Sequence, residues 1–166
     1  MTEARYQKLL AFWRKSPRRE KCGQIAVKLL PPIFFCVYGV ELLLLFYQDG
    51  FSLNLLGALA APAVALAASN LLRRLINRPR PYTVYSIRPL ISKSTQGRSF
   101  PSNHTTSAFV LAVTAFRLST ELGIVMLVLA CLTGLSRVSA GLHWPTDVLF
   151  GAGLGTFLGV AGLILL

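Results

Sequence analysis

Apolar residues run along this chain in long blocks, each closed by a short polar cluster. The blocks from Leu29 to Tyr47 and from Phe51 to about Leu72 approach the roughly 20 residues that cross hydrocarbon, with Gln48-Asp49-Gly50 as the turn between them. Pro31-Pro32 near the start of the first block predicts a kink there. A shorter apolar helix is predicted from about Asn103 to Leu118. A fourth follows from about Leu122 to Val138, after a turn at Arg117 to Glu121, and a last one from Asp147 to Leu166. In the last, Gly151, Gly155 and Gly159 recur every four residues, a spacing that lets helices approach closely in lipid.

Ahead of these blocks, residues 3 to 15 put Tyr6, Leu9, Leu10 and Trp13 at i, i+3, i+4 and i+7, with Arg5, Lys8, Arg14 and Lys15 largely elsewhere. That is the pattern of an amphipathic helix, and Ser16-Pro17 should end it. Trp and Tyr with basic neighbours suit headgroup depth, so the helix is expected to lie on an anionic membrane surface; docking on the bundle is the alternative. No small-residue cleavage site follows, and no cleavable signal peptide is expected. The predicted fold is all-α: an integral membrane bundle of about five transmembrane helices plus an N-terminal amphipathic interfacial helix. It forms a single domain over 1–166, with an amphipathic, basic segment at 1–24 and the chemistry carried by 73–147.

Composition agrees: 54% of residues are hydrophobic and only 14% charged, with a mean hydropathy of +0.58. Lys and Arg outnumber Asp and Glu 17 to 6. Fifteen of the basic residues fall between Arg5 and Lys28 or between Arg73 and Arg98. Basic clusters beside membrane spans point to lipid headgroups or phosphate, so the expected partners are a membrane lipid substrate and an anionic bilayer, with no nucleic acid. Cys22, Cys36 and Cys131 form neither a disulfide framework nor a metal pattern and are read as small buried residues. Glu41, inside the first span, should face the bundle interior or pair with an arginine.

Three segments concentrate the polar chemistry: Arg73-Arg-Leu-Ile-Asn-Arg-Pro-Arg80-Pro81, Pro101-Ser102-Asn103-His104, and Ser136-Arg137-x5-His143-x3-Asp147. Two crossings precede Arg73 and two more precede Ser136, so all three segments can meet at one membrane face, the face of the N-terminus. Arginine presents a planar fork of donors that matches phosphate oxygens, and Arg73, Arg80 and Arg137 can converge. Ser102 and Asn103 lie where a helix begins, a place that favours an anion. Asp147 can hold one imidazole nitrogen of His143 as a donor and leave the other as a nucleophile. His104 can protonate the leaving oxygen. Phosphoryl transfer asks mainly for positioning and charge stabilisation, and this set is expected to work without metal or cofactor. Arg74, Arg78, Arg88, Lys93 and Arg98 are read as headgroup anchors.

Together these segments resemble the signature of the type 2 phosphatidic acid phosphatase superfamily, Lys-x6-Arg-Pro, Pro-Ser-Gly-His and Ser-Arg-x5-His-x3-Asp. Arg73 stands at the first motif's Lys and Arg80 at its Arg; Ser102 and His104 match the second; Ser136, Arg137, His143 and Asp147 match the third. The resemblance implies that His143 is the nucleophile, forming a phosphohistidine, that His104 is the general acid, and that Arg73, Arg80, Ser102, Asn103, Ser136 and Arg137 bind the substrate phosphate. Two departures stand out: Arg73 replaces Lys, and Asn103 replaces Gly, where its amide can touch substrate. Membrane members often have six spans, and an amphipathic helix here takes the place of the first. The implied activity is removal of a terminal phosphate from a membrane lipid, with undecaprenyl diphosphate the leading substrate and phosphatidylglycerophosphate, phosphatidic acid and lipid A the alternatives. The implied location is the bacterial inner membrane with the site on its extracytoplasmic face, against the vote of the basic N-terminus. Competing classes are a non-catalytic anionic-lipid binder, which would bind phosphate without release, and a small transporter, which would want polar residues at mid-membrane.

Overall fold

The computed structural model describes residues 1–165, and all its regular elements are helical. They are α1 (Glu3–Arg14), α2 (Pro17–Asp49), α3 (Leu53–Ile76), the single turn α4 (Pro81–Val84), α5 (Asn103–Thr114), α6 (Thr120–Ser139) and α7 (Pro145–Leu165). Local sequence explains most ends. Ser16, Ser52 and Ser119 each accept a hydrogen bond from a backbone N–H three residues on, capping α2, α3 and α6. Gly50, at φ 61°, turns the chain out of α2, and Asn77, in the left-handed region at φ 41°, ends α3. α2 begins well before the predicted span, because Pro17 suits a first helical position. It also continues through Pro31 and Pro32.

Four helices, α2, α3, α6 and α7, are long and apolar enough to cross a membrane. The fifth helix of the bundle, α5, has 12 residues, about 18 Å at the usual rise. A 3₁₀ turn over Ala115–Arg117 extends it. It can be short because it is the centre: it packs on α3, α6 and α7, and Ala108, Val110, Leu111 and Ala112 lie in the main core with Phe34, Ala65, Met126 and Ala130. The outer faces of α2, α3, α6 and α7 carry exposed Leu, Ile, Val and Phe, as a lipid-facing surface should.

The glycine repeat of α7 forms the seam against α5. A Cβ on Gly151 would sit 3.0 Å from the Ser102 carbonyl, one on Gly155 would strike the Thr106 carbonyl, and one on Gly159 would sit 2.7 Å from Val113 Cβ. Close approach brings the N-terminal ends of the two helices together, and the Ser102 N–H donates to the Asp147 carbonyl at 3.0 Å. Two of the three polar segments are thereby joined through backbone.

Three expectations need revision. The apolar stripe of α1 is spent on protein: Tyr6 and Leu10 are buried against Ile87, Leu90, Leu142 and Trp144, so α1 docks on the polar end of the bundle, with Phe12 left exposed. The three cysteines are free and exposed, not buried, because Cys22 and Cys36 lie on the outer face of α2 and Cys131 on that of α6. The polar segment after Leu72 is shorter than expected, since α3 runs on to Ile76 and carries Arg73 and Arg74 in its last turn. Glu41 does face the interior, with the Thr114 hydroxyl 3.4 Å from one carboxylate oxygen.

Gly153, on the opposite side of α7, has open space where a Cβ would go. Gly155→Val is expected to cost about 1–3 kcal/mol or more through overpacking, and Gly153→Val almost nothing. Thermal unfolding of the two variants in one detergent checks this.

Candidate active site

The spacing Arg-x5-His follows from how a helix ends. α6 stops at Ser139, Gly141 takes φ 74°, and the N–H groups of Leu142 and His143 both return to the Arg137 carbonyl, at 3.0 and 3.3 Å. This folds His143 back over the last turn that carries Arg137. Pro145 then starts α7, and Asp147 in its first turn reaches back to accept from the Trp144 N–H at 3.0 Å, as a capping carboxylate does. Arg80 is fixed in a similar way. Pro81 opens the turn α4, and the Arg80 carbonyl accepts from the N–H and hydroxyl of Thr83 at 3.0 and 2.8 Å.

His143 is buried, and its two ring nitrogens face different partners. Nδ1 lies 3.0 Å from the Ser99 carbonyl and 3.6 Å from Asp147 Oδ2. With the proton on Nδ1, the donor bond runs to Ser99, and Asp147 acts from just beyond hydrogen-bond reach. Nε2 keeps its lone pair and lies 3.5 Å from Arg80 Nη1. Burial pushes the imidazole down to about 4, the carboxylate of Asp147 opposes that shift, and the Arg80 cation adds to it. His143 is therefore neutral at neutral pH, the form a nucleophile needs.

The arginines are pinned by backbone carbonyls. Arg73 Nη1 donates to Pro101 at 2.9 Å, Arg80 donates through Nε to Gly97 and through Nη1 to Leu142, both at 3.3 Å, and Arg137 Nη2 donates to Val27 at 2.8 Å. Arg73 and Arg137 both lie in the field of Arg80. The Nε of Arg137 is buried without an acceptor. Three guanidiniums held together at this burial repel one another and call for an anion. The first-turn N–H groups of α5, at Asn103, His104 and Thr105, point the same way. His104 stands in the field of Arg137, Arg73 and His143, at the head of an apolar groove of about 280 Å³ between α2, α3 and α5.

Two predicted phosphate ligands sit elsewhere. The Asn103 amide is occupied by α3: its Oδ1 accepts from Ser69 Oγ at 2.6 Å and its Nδ2 donates to Asn70 at 2.7 Å. Its side chain ties α5 to α3. The Ser136 hydroxyl turns back to the Thr133 carbonyl of its own helix at 2.7 Å. Ser102 is fully buried and accepts from Thr105 Oγ1 at 2.9 Å, so it contributes as part of the α5 start.

Three residues join the site unannounced. Ser99 supplies both the carbonyl for His143 and a hydroxyl that donates to Asp147 Oδ2 at 2.5 Å. Arg78, read as a headgroup anchor, donates to Asp147 Oδ1 at 2.8 Å and to the Thr146 hydroxyl at 2.7 Å, and lies over the Trp144 ring. Tyr6 of α1 donates its hydroxyl to the His143 carbonyl at 2.9 Å. Only its place on the apolar face of α1 hinted at a buried role.

The geometry unites the three motifs, and comparison with known proteins then decides the family: the PAP2 superfamily matches residues 52–165. The chain belongs to the PAP2 superfamily. α1 and the whole of α2 lie ahead of the matched PAP2 region. Undecaprenyl-diphosphatase BcrC of Bacillus subtilis is 35% identical over 71 residues, 43% of this chain and 36% of that protein. Lipid A 1-phosphatase of Porphyromonas gingivalis is 37% identical over 83 residues, 47% of this chain and 18% of that one. The chain thus spans about a third or less of the length of these two relatives. Among solved structures, the PAP2 type phosphatidylglycerolphosphate phosphatase of Bacillus subtilis superposes with TM-score 0.70 at 25% identity, covering 97% of this chain and 82% of that one. Aquifex aeolicus LpxE superposes with TM-score 0.63 at 24% identity, covering 86% and 93%.

The chain has two histidines, so a nitrogen-15 histidine label gives two imidazoles to follow by NMR. The one lost in His143→Ala is expected to titrate well below the ordinary 6.5, toward about 4. A midpoint at or above 6.5 would contradict the buried, Arg80-facing geometry.

Proposed function

We propose that this protein is a metal-independent membrane lipid phosphatase. The reading rests on one juxtaposition: Arg80 stands at His143 Nε2 with Arg73 and Arg137 in its field, and His104, in the field of Arg137, Arg73 and His143, heads an apolar groove lined by Pro31, Phe34, Phe35, Leu66 and Ala108. A second apolar cavity of about 330 Å³ shares Phe35, Leu66 and Ser107 with it and extends it past Tyr38 and Pro62. A substrate with a phosphate at one end and hydrocarbon at the other fits both halves.

In this reading His143 Nε2 attacks the terminal phosphorus. A phosphorus–nitrogen bond forms as the bond to the leaving oxygen breaks, and His104, at the mouth of the groove, gives its proton to that oxygen. Arg73, Arg80 and Arg137 stabilise the three equatorial oxygens. Asp147 and the Ser99 carbonyl hold Nδ1 as the donor and steady the cation that forms on the ring. Water then hydrolyses the phosphohistidine. Undecaprenyl diphosphate is the leading substrate, supported by the relative of that activity in Bacillus subtilis; phosphatidylglycerophosphate, phosphatidic acid and lipid A follow. The active site faces the extracytoplasmic side of a bacterial inner membrane, a placement supported by the family resemblance.

Purified protein in detergent with excess chelator is expected to release phosphate from at least one of these four lipids. His143→Ala should reduce the rate roughly a thousandfold or more and Asp147→Asn should cripple it, both variants remaining folded. Full turnover by folded His143→Ala would refute the mechanism, and phosphate binding without release from any lipid would favour the non-catalytic binder. For sidedness, Arg88→Cys in a background lacking Cys22, Cys36 and Cys131 should react with an impermeant maleimide in intact cells. Protection there, with labelling after lysis, would place the site in the cytoplasm.

A further inference from the structure

His143 carries four polar atoms, and three of them are held. Its N–H donates to the Arg137 carbonyl of α6 at 3.3 Å. Its Nδ1 faces the Ser99 carbonyl at 3.0 Å, on the loop ahead of α5. Its own carbonyl accepts from the Tyr6 hydroxyl of α1 at 2.9 Å. No other donor among the described residues reaches that carbonyl. Pro145 brings no N–H to the start of α7, and the N–H of Asp147, four residues on from His143, goes to the Trp144 carbonyl instead. Three elements thus hold one residue at three points, and Nε2 is the atom left over for chemistry.

Tyr6 is firmly seated for this contact. It has no exposed surface, and its ring stands in an aromatic triangle, 5.9 Å from Trp144 and 6.2 Å from Tyr85, which are themselves 5.4 Å apart. Leu10, one turn on along α1, covers the bend at Gly141, where a Cβ would sit 3.7 Å from it. Tyr85 donates to the Met1 carbonyl at 3.2 Å and Arg14 donates to the Arg88 carbonyl at 2.5 Å, so α1 is tied at both ends to the loop after α4. That loop is tied in turn to the bend before His143, since the Leu90 N–H donates to the Ala140 carbonyl at 3.1 Å. Burial, and then the charge of Asp147, push the Tyr6 phenol up, so its hydroxyl stays a donor.

We propose that α1, although it lies ahead of the matched PAP2 region, is a working part of the active site, and that Tyr6 is a positioning residue that keeps His143 Nε2 in line by holding the His143 carbonyl. For its effect on turnover the inference rests on the lipid phosphatase reading above. Without the Tyr6 hydroxyl the carbonyl side of His143 is released, and the backbone can rotate about the two remaining ties. That rotation carries Nε2 away from its place 3.5 Å from Arg80. Attack is sensitive to displacements of an ångström or less. Arg73, Arg80 and Arg137 are held by carbonyls elsewhere, and Tyr6 does not line the apolar groove. Substrate binding is therefore left alone, and the loss falls on the chemical step.

The test sets Tyr6→Phe, which removes one oxygen and keeps the ring, beside Tyr85→Phe, which removes the neighbouring hydroxyl and leaves His143 alone. On the lipid that wild type turns over fastest, Tyr6→Phe is expected to lower kcat about tenfold, the size of one buried hydrogen bond, with KM changed less than about twofold. Tyr85→Phe should stay within about twofold in both. Equal losses in the two variants, a loss confined to KM, or no loss with Tyr6→Phe would overturn the positioning role. A second arm needs no turnover: with the nitrogen-15 histidine label, Tyr6→Phe should move the His143 midpoint up from about 4 toward 6.5, and Tyr85→Phe should leave it in place. A midpoint unmoved by Tyr6→Phe overturns the role as well. Should wild type release phosphate from no lipid while that midpoint still follows Tyr6, the lipid reading falls and the brace stands. Should Tyr6→Phe not fold, 3-fluorotyrosine in place of Tyr6 keeps both ring and hydroxyl. Its fluorine resonance should then titrate with the His143 imidazole, and a resonance blind to that titration overturns the link.

Discussion

Asp147 has no exposed surface, and both its carboxylate oxygens are answered: Oδ2 by the Ser99 hydroxyl and the Trp144 N–H, Oδ1 by Arg78. A buried carboxylate with fewer partners would be costly to keep charged. Satisfying it draws together elements far apart in the chain. Ser99 and Arg78 come from opposite ends of the loop between α3 and α5, joined to each other by the Ser99 N–H and the Arg78 carbonyl at 2.9 Å. Trp144 comes from the α6–α7 turn and returns its indole N–H to the Pro79 carbonyl at 2.9 Å. The same carbonyl-bearing residue, Ser99, orients the His143 ring, so one buried charge fixes both the loop and the imidazole.

The membrane setting and the polar site solve each other's problem. Three arginines at one end of a bundle could not be packed among apolar side chains without partners, and here Arg73 and Arg80 donate to loop carbonyls while Arg137 donates to the Val27 carbonyl inside α2, which Pro31, four residues on, leaves without an N–H partner. The helix ends, in turn, must find partners because lipid offers none. The short central α5 sets how deep this end lies. Its start is buried between α3 and α7, so the site is recessed and borders an apolar groove.

Much of the fold could be read before any coordinates, for physical reasons. Long apolar blocks demand spanning helices, serine and glycine mark their ends, and the glycine spacing on α7 marks a seam. The grouping of Arg73, Arg80, His104, Arg137, His143 and Asp147 followed from topology plus motif spacing, and the structure gathers them. What escaped notice works through single hydrogen bonds that leave no periodic trace. Ser99, Arg78 and Tyr6 act on the backbone or carboxyl of another residue, and nothing in their neighbours forecasts it. Asn103 and Ser136 sit inside motifs yet spend their side chains on Ser69, Asn70 and Thr133. The stripe of α1 was recognised as apolar, but a stripe does not say whether lipid or protein will cover it.

The α5–α7 seam has a consequence for how such a molecule can diversify. Where Gly151, Gly155 and Gly159 press on α5 there is no room for a larger side chain, so this half of the pocket is frozen. The opposite wall is made by Phe34, Phe35 and Leu66 of α2 and α3, and Phe35 and Leu66 are exposed on the outer surface. Drift there can reshape the groove while leaving the arginines and His143 undisturbed. On the proposed reading, one half of the bundle holds the reacting groups and the other is free to change what they act on, which makes α2 and α3 the place to begin any redesign of substrate preference.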